Sequence, residues 1–196
     1  PVIVATDYMR LFAEQIQGSG FEGEDFATYW KPFSERGRVE LAEVDFKNGS
    51  KSVRLRGEGG RAGIRQGRIF VDAGREYDGS IWIKREAGAL RVTLRVATAQ
   101  GAQISAVPLA VTGSGWQEVP YRFTSPVRDT QASLEIAAAG TGSLLLDFIS
   151  MMRVDVRRDG ALRPDLVQAL RDLAPPFIRW PGGSFASTYK WKDGIG

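Results

Sequence analysis

The sequence predicts a mainly β protein, a jelly-roll antiparallel β-sandwich flanked by fragments of an incomplete β/α barrel. Three observations support this fold class. Between residues 21 and 152, short apolar runs follow one another with the period of two that is typical of strands. Turn signals that contain Gly or Asn separate these runs. A helical pattern comes before the block, and a helix followed by a strand comes after it, as in one repeating unit of a barrel.

The first twenty residues predict a short helix over residues 8–17. Tyr8, Leu11, Phe12 and Ile16 recur at helical spacing, and the segment 18–20, Gly-Ser-Gly, would end the helix. We interpret residues 1–20 as a segment derived from the barrel.

Eight strand-like runs fill residues 21–152, which we expect to form the sandwich domain. The runs are Val39–Phe46, Ser52–Arg56, Ala62–Val71, Tyr77–Lys84, Leu90–Ala97, Trp116–Phe123, Ala132–Ala137 and Ser143–Ile149. The turn signals between them are Asn48-Gly49, the segment 57–60, Asp78-Gly79, the segment 113–115 and the segment 140–142. Asn-Gly between two apolar runs is a strong hairpin signal.

Residues 153–196 predict the start of a catalytic barrel, with one αβ unit and a loop. Leucines spaced three or four residues apart form one helix face: Leu162, Leu166, Leu170 and Leu173. Pro164 suits the first turn of this helix, and Pro175-Pro176 would end it. The predicted strand Phe177–Trp180 follows at once. One such unit does not close a barrel of eight strands.

The composition excludes several kinds of chemistry. The chain has no Cys and no His, so disulfides, thiol nucleophiles, Ser-His-Asp triads and histidine metal sites are absent. The net charge of +3 is small. Among the arginines clustered between positions 54 and 68, Arg54 and Arg56 alternate with Val53 and Leu55, as on a solvated strand face. We therefore expect no nucleic-acid partner. No apolar run is long enough to span a membrane, and no signal peptide is visible, which leaves a secreted and a cytoplasmic bacterial location both open.

The last twenty residues carry a long motif, with Arg179-Trp180-Pro181-Gly182-Gly183 followed by Phe185, Tyr189, Trp191 and the segment 193–196, Asp-Gly-Ile-Gly. This segment resembles a signature of the α-L-arabinofuranosidases of glycoside hydrolase family 51. Residues 11–22 are similar to a motif found in members that contain an inserted β-sandwich. The resemblance implies a parent enzyme that releases terminal arabinofuranosyl groups from arabinoxylan or arabinan with retention of configuration.

The same resemblance implies where the catalytic groups lie. Retaining glycosidases use two carboxyl groups, and in this family they are glutamates on later barrel strands, which we expect beyond Gly196. The chain by itself is therefore expected to have no catalytic residue and to need no cofactor for chemistry. Ser184 matches a position that lines the arabinose pocket, and with Trp191 it would form the rim of that pocket.

The sandwich resembles carbohydrate-binding modules of families 4 and 9. The motifs that carry the resemblance are the segment 20–22 with Trp30, the segments 63–66 and 77–84, Trp116 before Phe123, and the segment 146–149. Alternation along the segment 77–84 puts Trp82, Asp78, Ser80 and Lys84 on one face, opposite the core. An aromatic ring can stack on a sugar ring while Asp and Lys bind hydroxyls, so these four residues are the candidate carbohydrate site. The alternative is that Trp82 lies beneath a loop.

The module resemblance also implies a structural calcium ion, for which Glu22 and Asp147 match the expected side chains. Calcium takes about six to eight oxygen ligands, many of them backbone carbonyls. The alternative is that Asp147 accepts backbone amides instead.

Three functions remain open at this point. The chain is a segment of an arabinofuranosidase-like glycoside hydrolase, a non-catalytic carbohydrate-binding protein, or a structural insert without a ligand. The expected partner is a plant polysaccharide: arabinoxylan, arabinan, xylan or β-glucan. An oligomer through the exposed barrel fragment is a further expectation.

Overall fold

The computed structural model of the chain describes residues 14–158 and 164–177. Within them the chain forms six strands and three helices. In chain order the elements are α1 Asp25–Tyr29, β1 Lys31–Ala42, β2 Ser52–Val71, β3 Glu76–Ala97, β4 Gln103–Leu109, β5 Gln117–Thr124, β6 Asp129–Arg153, α2 Val154–Arg158 and α3 Pro164–Leu173. The predicted mainly β, antiparallel fold is confirmed.

The strands are hydrogen-bonded in the order β1-β2-β6-β3-β4, and β5 pairs with β3. Strand β3 changes partner along its length. Its first half pairs with β5, from Glu76 opposite Thr124 to Ile83 opposite Gln117, and its second half pairs with β4. Side chains from both halves, such as Ile81 and Leu94, pack into one hydrophobic core, which gives the layered arrangement of a sandwich.

Alternation along the strands decides which side chains enter this core. In β2 and β6 the fully buried side chains include Leu55, Ile64, Leu134 and Ile136. Trp30, which follows α1, is also buried, and its indole N–H donates to the carbonyl of Gly18. Trp30 therefore belongs to the hydrophobic core.

Three of the turns predicted from glycines are absent from the structure, and those predictions are wrong. Strands β2, β3 and β6 run through the segments 57–60, 78–79 and 140–142 without a turn. These glycines instead allow close approach between strands. At Gly142, with a φ of +147°, a Cβ atom would lie 2.3 Å from the carbonyl oxygen of Ala87.

Seven of the eight predicted runs belong to four long strands, β1, β2, β3 and β6. The remaining predicted run, Trp116–Phe123, corresponds to β5, and the predicted end of the first run at residues 43–46 is a loop. Strand β4 and helix α1 have no counterpart in the predictions.

The chain forms two compact units, of which Gln15–Met152 is the sandwich. Its two ends meet, since the backbone N–H of Gln15 donates to the carbonyl of Met151 and that of Ile149 donates to Ser19. The division into residues 1–20, 21–152 and 153–196 stays a prediction.

The second unit combines residues 1–14 with residues 153–196. The helix predicted after Leu162 is confirmed as α3, on which Leu166, Leu170 and Leu173 are exposed. The helix predicted over residues 8–17 does not include residues 14–17, because the glycines that follow begin a tight turn; residues 8–13 lie outside the described part. The strand predicted over residues 177–180 lies outside it as well, apart from Phe177. Across the described ranges, no helix combines the length and apolarity needed to cross a membrane.

Candidate functional site

The first half of β3 presents the four predicted carbohydrate-binding residues on one face. Tyr77, Ile81 and Ile83 are fully buried in the core. Asp78, Ser80, Trp82 and Lys84 lie on the opposite face and are half-buried. The alternation predicted from the sequence is present, and the role of these residues in sugar binding stays a prediction.

Each polar member of this face has a partner within the chain. Ser80 Oγ donates to Glu118 Oε1 on β5 at 2.6 Å, and the Arg122 guanidinium lies 3.3 Å from Asp78 Oδ2. Lys84 Nζ lies 2.5 Å from Asp45 Oδ2. The polar groups of this face therefore join neighbouring elements to one another.

Trp82 itself lies under a cation. Nζ of Lys47 is 4.2 Å from the centroid of the Trp82 ring, a distance at which the ring attracts the charge. Close by, Trp116 Nε1 donates to Asp45 Oδ1 at 2.9 Å. The Lys84 hydrogen bond is the main cause that lowers the pKa of Asp45, so this carboxylate stays ionised and holds both groups.

The loop between β1 and β2, residues 43–51, supplies both Asp45 and Lys47, and two carboxylates hold it. Glu22 Oε1 accepts the N–H groups of Ser50 and Lys51 at 2.7 and 3.0 Å, and Glu22 Oε2 accepts the Ser50 hydroxyl. Asp147 Oδ2 accepts the N–H groups of Lys47 and Asn48 at 2.8 and 3.0 Å. The two residues predicted as calcium ligands are therefore the two anchors of this loop.

The pKa values of the two anchoring carboxyl groups shift in opposite directions. Hydrogen bonds from the hydroxyl and the N–H of Ser50 lower the pKa of Glu22. Burial raises the pKa of Asp147, although three backbone N–H groups act in the opposite direction. Glu22 also contributes to the rise through its negative charge, as expected for two carboxylates near each other.

These contacts bear on whether a calcium ion fits the site. Calcium needs about six to eight oxygen atoms, whereas the groups that face these carboxylates are N–H and O–H donors. In the described part of the chain, no third Asp or Glu joins them in a group suited to a metal. The residues as arranged do not fit the ion, and calcium stays an untested prediction of the resemblance.

Ser184 and Trp191, the predicted rim of the arabinose pocket, lie outside the described residues, as does the motif around Pro181-Gly182-Gly183.

The structure contains a second candidate surface that was not predicted from the sequence. A groove of about 570 Å³ lies among β2, β3, β4 and β6. The residues lining it include four arginines and one glutamate: Arg61, Arg85, Arg91, Arg95 and Glu135. One sign was available in the sequence, because Arg91 and Arg95 alternate with the buried Val92, Leu94 and Val96, and so share the outer face of β3.

Comparison with known proteins finds sequence similarity to α-L-arabinofuranosidases over most of the chain. No family model matches it. It is 28% identical to an extracellular exo-α-L-arabinofuranosidase of Streptomyces chartreusis over 95% of this chain and 25% of the relative. The chain is similar in sequence to α-L-arabinofuranosidases. It is also 26% identical to α-L-arabinofuranosidase 1 of Arabidopsis thaliana, over 64% of this chain and 20% of that protein.

Solved structures with a similar fold include an enzyme and carbohydrate-binding modules. An arabinose-bound family 51 α-L-arabinofuranosidase matches 94% of the chain with a TM-score of 0.73 and 17% identity, over 36% of that protein. A family 61 carbohydrate-binding module in complex with β-1,4-galactotriose matches 71% of the chain and 98% of the module, with a TM-score of 0.55 and 17% identity. A xylan-binding domain of Paenibacillus barcinonensis matches 78% of the chain and 98% of the domain, with a TM-score of 0.53 and 14% identity. The sandwich therefore has the fold of a carbohydrate-binding module.

The chain spans about a quarter of the length of the first curated protein it matches and about a fifth of the second. It corresponds to a glycoside hydrolase-like segment that carries a carbohydrate-binding-like sandwich.

Proposed function

We propose that the chain is a segment of an α-L-arabinofuranosidase that releases arabinofuranosyl groups from arabinoxylan or arabinan. In this proposal the sandwich is a non-catalytic module, and the barrel carries the chemistry. The observation that carries the proposal is the sequence similarity to the Streptomyces chartreusis enzyme, because it extends over 95% of the chain and so includes both the sandwich and its flanks.

Helix α3 supports the barrel part of the proposal. Its leucines Leu166, Leu170 and Leu173 are exposed, the last of them to 73%. A helix of a β/α barrel buries such an apolar face against neighbouring barrel elements. This face is what we expect of one αβ unit taken from a larger barrel.

The experiment compares two proteins on an aryl α-L-arabinofuranoside. The 196-residue chain should show no turnover, since retaining hydrolysis needs two positioned carboxyl groups that we assign to later strands. A protein that continues the same reading frame should release the aryl group and lose this activity when either of those glutamates is replaced by Gln. Turnover by the short chain that disappears on replacing one of its own glutamates would overturn the proposal.

A structural role of the sandwich is a second candidate, favoured by one observation on the face around Trp82. Lys84 and Trp116 both bond Asp45, and Lys47 covers the Trp82 ring. A stacking platform for sugar has an open ring face, so these contacts favour packing over binding at this face.

Affinity electrophoresis separates binding from packing. Retardation of the chain by arabinan, arabinoxylan, xylan or β-glucan, lost in Trp82→Ala while the fold is kept, would assign the sugar site to Trp82. Retardation that Trp82→Ala leaves unchanged would place the site elsewhere on the sandwich. The oligomer through the barrel fragment remains a proposal. The structural calcium ion is an untested implication of the module resemblance, and the contacts of Glu22 and Asp147 do not favour it.

A further inference from the structure

The groove among β2, β3, β4 and β6 is strongly basic. Its lining has four arginines against one glutamate, which leaves three net positive charges at neutral pH. Glu135 is buried, with its carboxylate shared between the guanidinium groups of Arg61 and Arg65. The one acid of the groove is thus paired with the groove arginine Arg61, and the three net positive charges come from Arg85, Arg91 and Arg95.

The arginines on β3 are placed to contact a ligand. Arg91 is exposed, and among the described residues it makes no hydrogen bond or ion pair. Arg95 NH2 donates to the carbonyl of Gly101 at 2.7 Å, which fixes the direction of its guanidinium and leaves other N–H groups for a ligand. Since β3 alternates, both side chains leave the same face of the sheet.

Apart from Gln103, small and aliphatic side chains form the rest of the lining. Thr93 lies opposite Pro108, and Arg95 lies opposite Ala106, across the β3–β4 pair. On β6 the groove is lined by Ala137 and Ala139. No aromatic residue occurs among the lining residues of the described chain, so stacking of a neutral sugar on a ring has no platform here.

We propose that this groove binds an acidic glycan through the carboxylates of its uronic acid residues. Arginine is suited to this group, because the guanidinium fork matches the two oxygens of a carboxylate. The volume lies in the range of ordinary ligand sites, and the small side chains let a sugar ring approach the sheet. The inference rests on the proposed function only in taking the ligand to be a glycan.

The experiment is calorimetric titration of the 196-residue chain with trigalacturonate and with a glucuronate-substituted xylo-oligosaccharide. The methyl ester of trigalacturonate has the same rings without the charge, and xylotriose is a neutral control. We expect binding of the uronates, no measurable binding of the ester or of xylotriose, and a weaker affinity as salt rises from about 0.05 M to about 0.5 M. Equal affinity for acid and ester would overturn the inference.

Variants locate the site. Arg91→Gln should weaken uronate binding about tenfold, as expected for the loss of one charge-assisted hydrogen bond pair. Arg38→Gln removes an exposed arginine of β1 that does not line the groove, and should leave binding unchanged. Arg91→Lys keeps the positive charge but loses the two-pronged guanidinium group, so its uronate affinity should lie between those of Arg91→Gln and the parent chain. It also gives a measurement if the Gln variant is poorly folded. Equal effects of Arg91→Gln and Arg38→Gln would show that the groove is not the site.

Two further outcomes are distinguishable. Tighter binding of a single-stranded oligonucleotide than of any uronate would overturn the inference in favour of a nucleic-acid site. Loss of uronate binding in Arg91→Gln, with arabinofuranoside turnover absent from the extended protein, would leave the groove inference intact while the proposed function fails. A preference between the galacturonate and glucuronate ligands identifies the source of the carboxylate.

Discussion

The side chain of Trp82 is held between the surface of β3 and the cation of Lys47, 4.2 Å above its ring. A half-buried indole in this position contributes through apolar contact and through the charge above it. The structure therefore assigns Trp82 a part in stability that its position in the sequence does not reveal.

Trp82→Ala should lower the free energy of unfolding by about 2 kcal/mol, less than for a fully buried tryptophan because the ring is partly exposed. Urea unfolding measures this loss. Lys47→Met keeps the aliphatic stem and removes the charge, and should cost only about 0.5–1 kcal/mol. A Trp82→Ala protein as stable as the parent chain would contradict the packing role and return Trp82 to the sugar-binding hypothesis.

Glu22 and Asp147 should give opposite pH dependences of stability. The pKa of Glu22 is lowered from 4.5, so the stability that its charge provides is present above that value and is lost as pH falls through the lower native pKa. The difference in unfolding free energy between the parent chain and Glu22→Gln should therefore shrink on acidification.

Asp147 serves as the control for that experiment. Burial raises its pKa from 3.8, so the native state binds the proton more readily than the unfolded state does. As pH falls, the free energy of unfolding of the parent chain should therefore rise relative to that of Asp147→Asn. Parallel trends in the two comparisons would show that the environments of the two carboxyls are not as described.

At the scale of elements, the loop of residues 43–51 depends on a glycine. Gly49 has a φ of +70°, and a Cβ atom there would lie 2.2 Å from Glu22 Oε1. Gly74 has the same φ, but nothing lies near the position of an added Cβ atom. An alanine at Gly74 would therefore show the cost of the backbone conformation alone, without the clash with Glu22.

Gly49→Ala should therefore lose more stability than Gly74→Ala, by about 1 kcal/mol or more, because it also displaces a carboxylate that accepts three hydrogen bonds. Thermal and urea unfolding of both variants measure the difference. Equal losses would mean that Glu22 moves aside freely and does not anchor the loop.

The elements also show what could be predicted from the sequence. Period-two alternation at Tyr77, Ile81 and Ile83 was enough to place the first half of β3 and its two faces, but not to join it to the second half. Strand β4 was not predicted, because Pro108 interrupts the pattern of a central strand; it is tolerated here since β4 ends the strand order. The groove was missed for the same reason, since β4 forms one of its sides.

At the scale of the whole molecule, the fold class was predictable and the ligand sites were not. The resemblance to arabinofuranosidases was predictable from sequence motifs, because a long motif is more specific than a single turn or helix. The partners of Glu22 and Asp147 depend on residues about thirty and one hundred positions away, and no local pattern predicts such contacts.

A calcium ion would change the stability of the whole sandwich, since binding to the native state alone stabilises it. We expect equal melting temperatures in excess calcium and in chelator, because the oxygens of Glu22 and Asp147 already accept N–H and O–H groups. A rise in melting temperature with calcium that Asp147→Asn abolishes would establish the ion and refute this expectation.

The hydrogen bond from Gln15 to the carbonyl of Met151 brings the first and last residues of the sandwich side by side. A module whose two ends adjoin fits within a short connection of a host protein, because the host chain is interrupted at one point and resumes beside it. In terms of gene history, a single insertion or deletion of this stretch of coding sequence adds or removes an entire folded body. Enzymes with and without it can then share one catalytic framework.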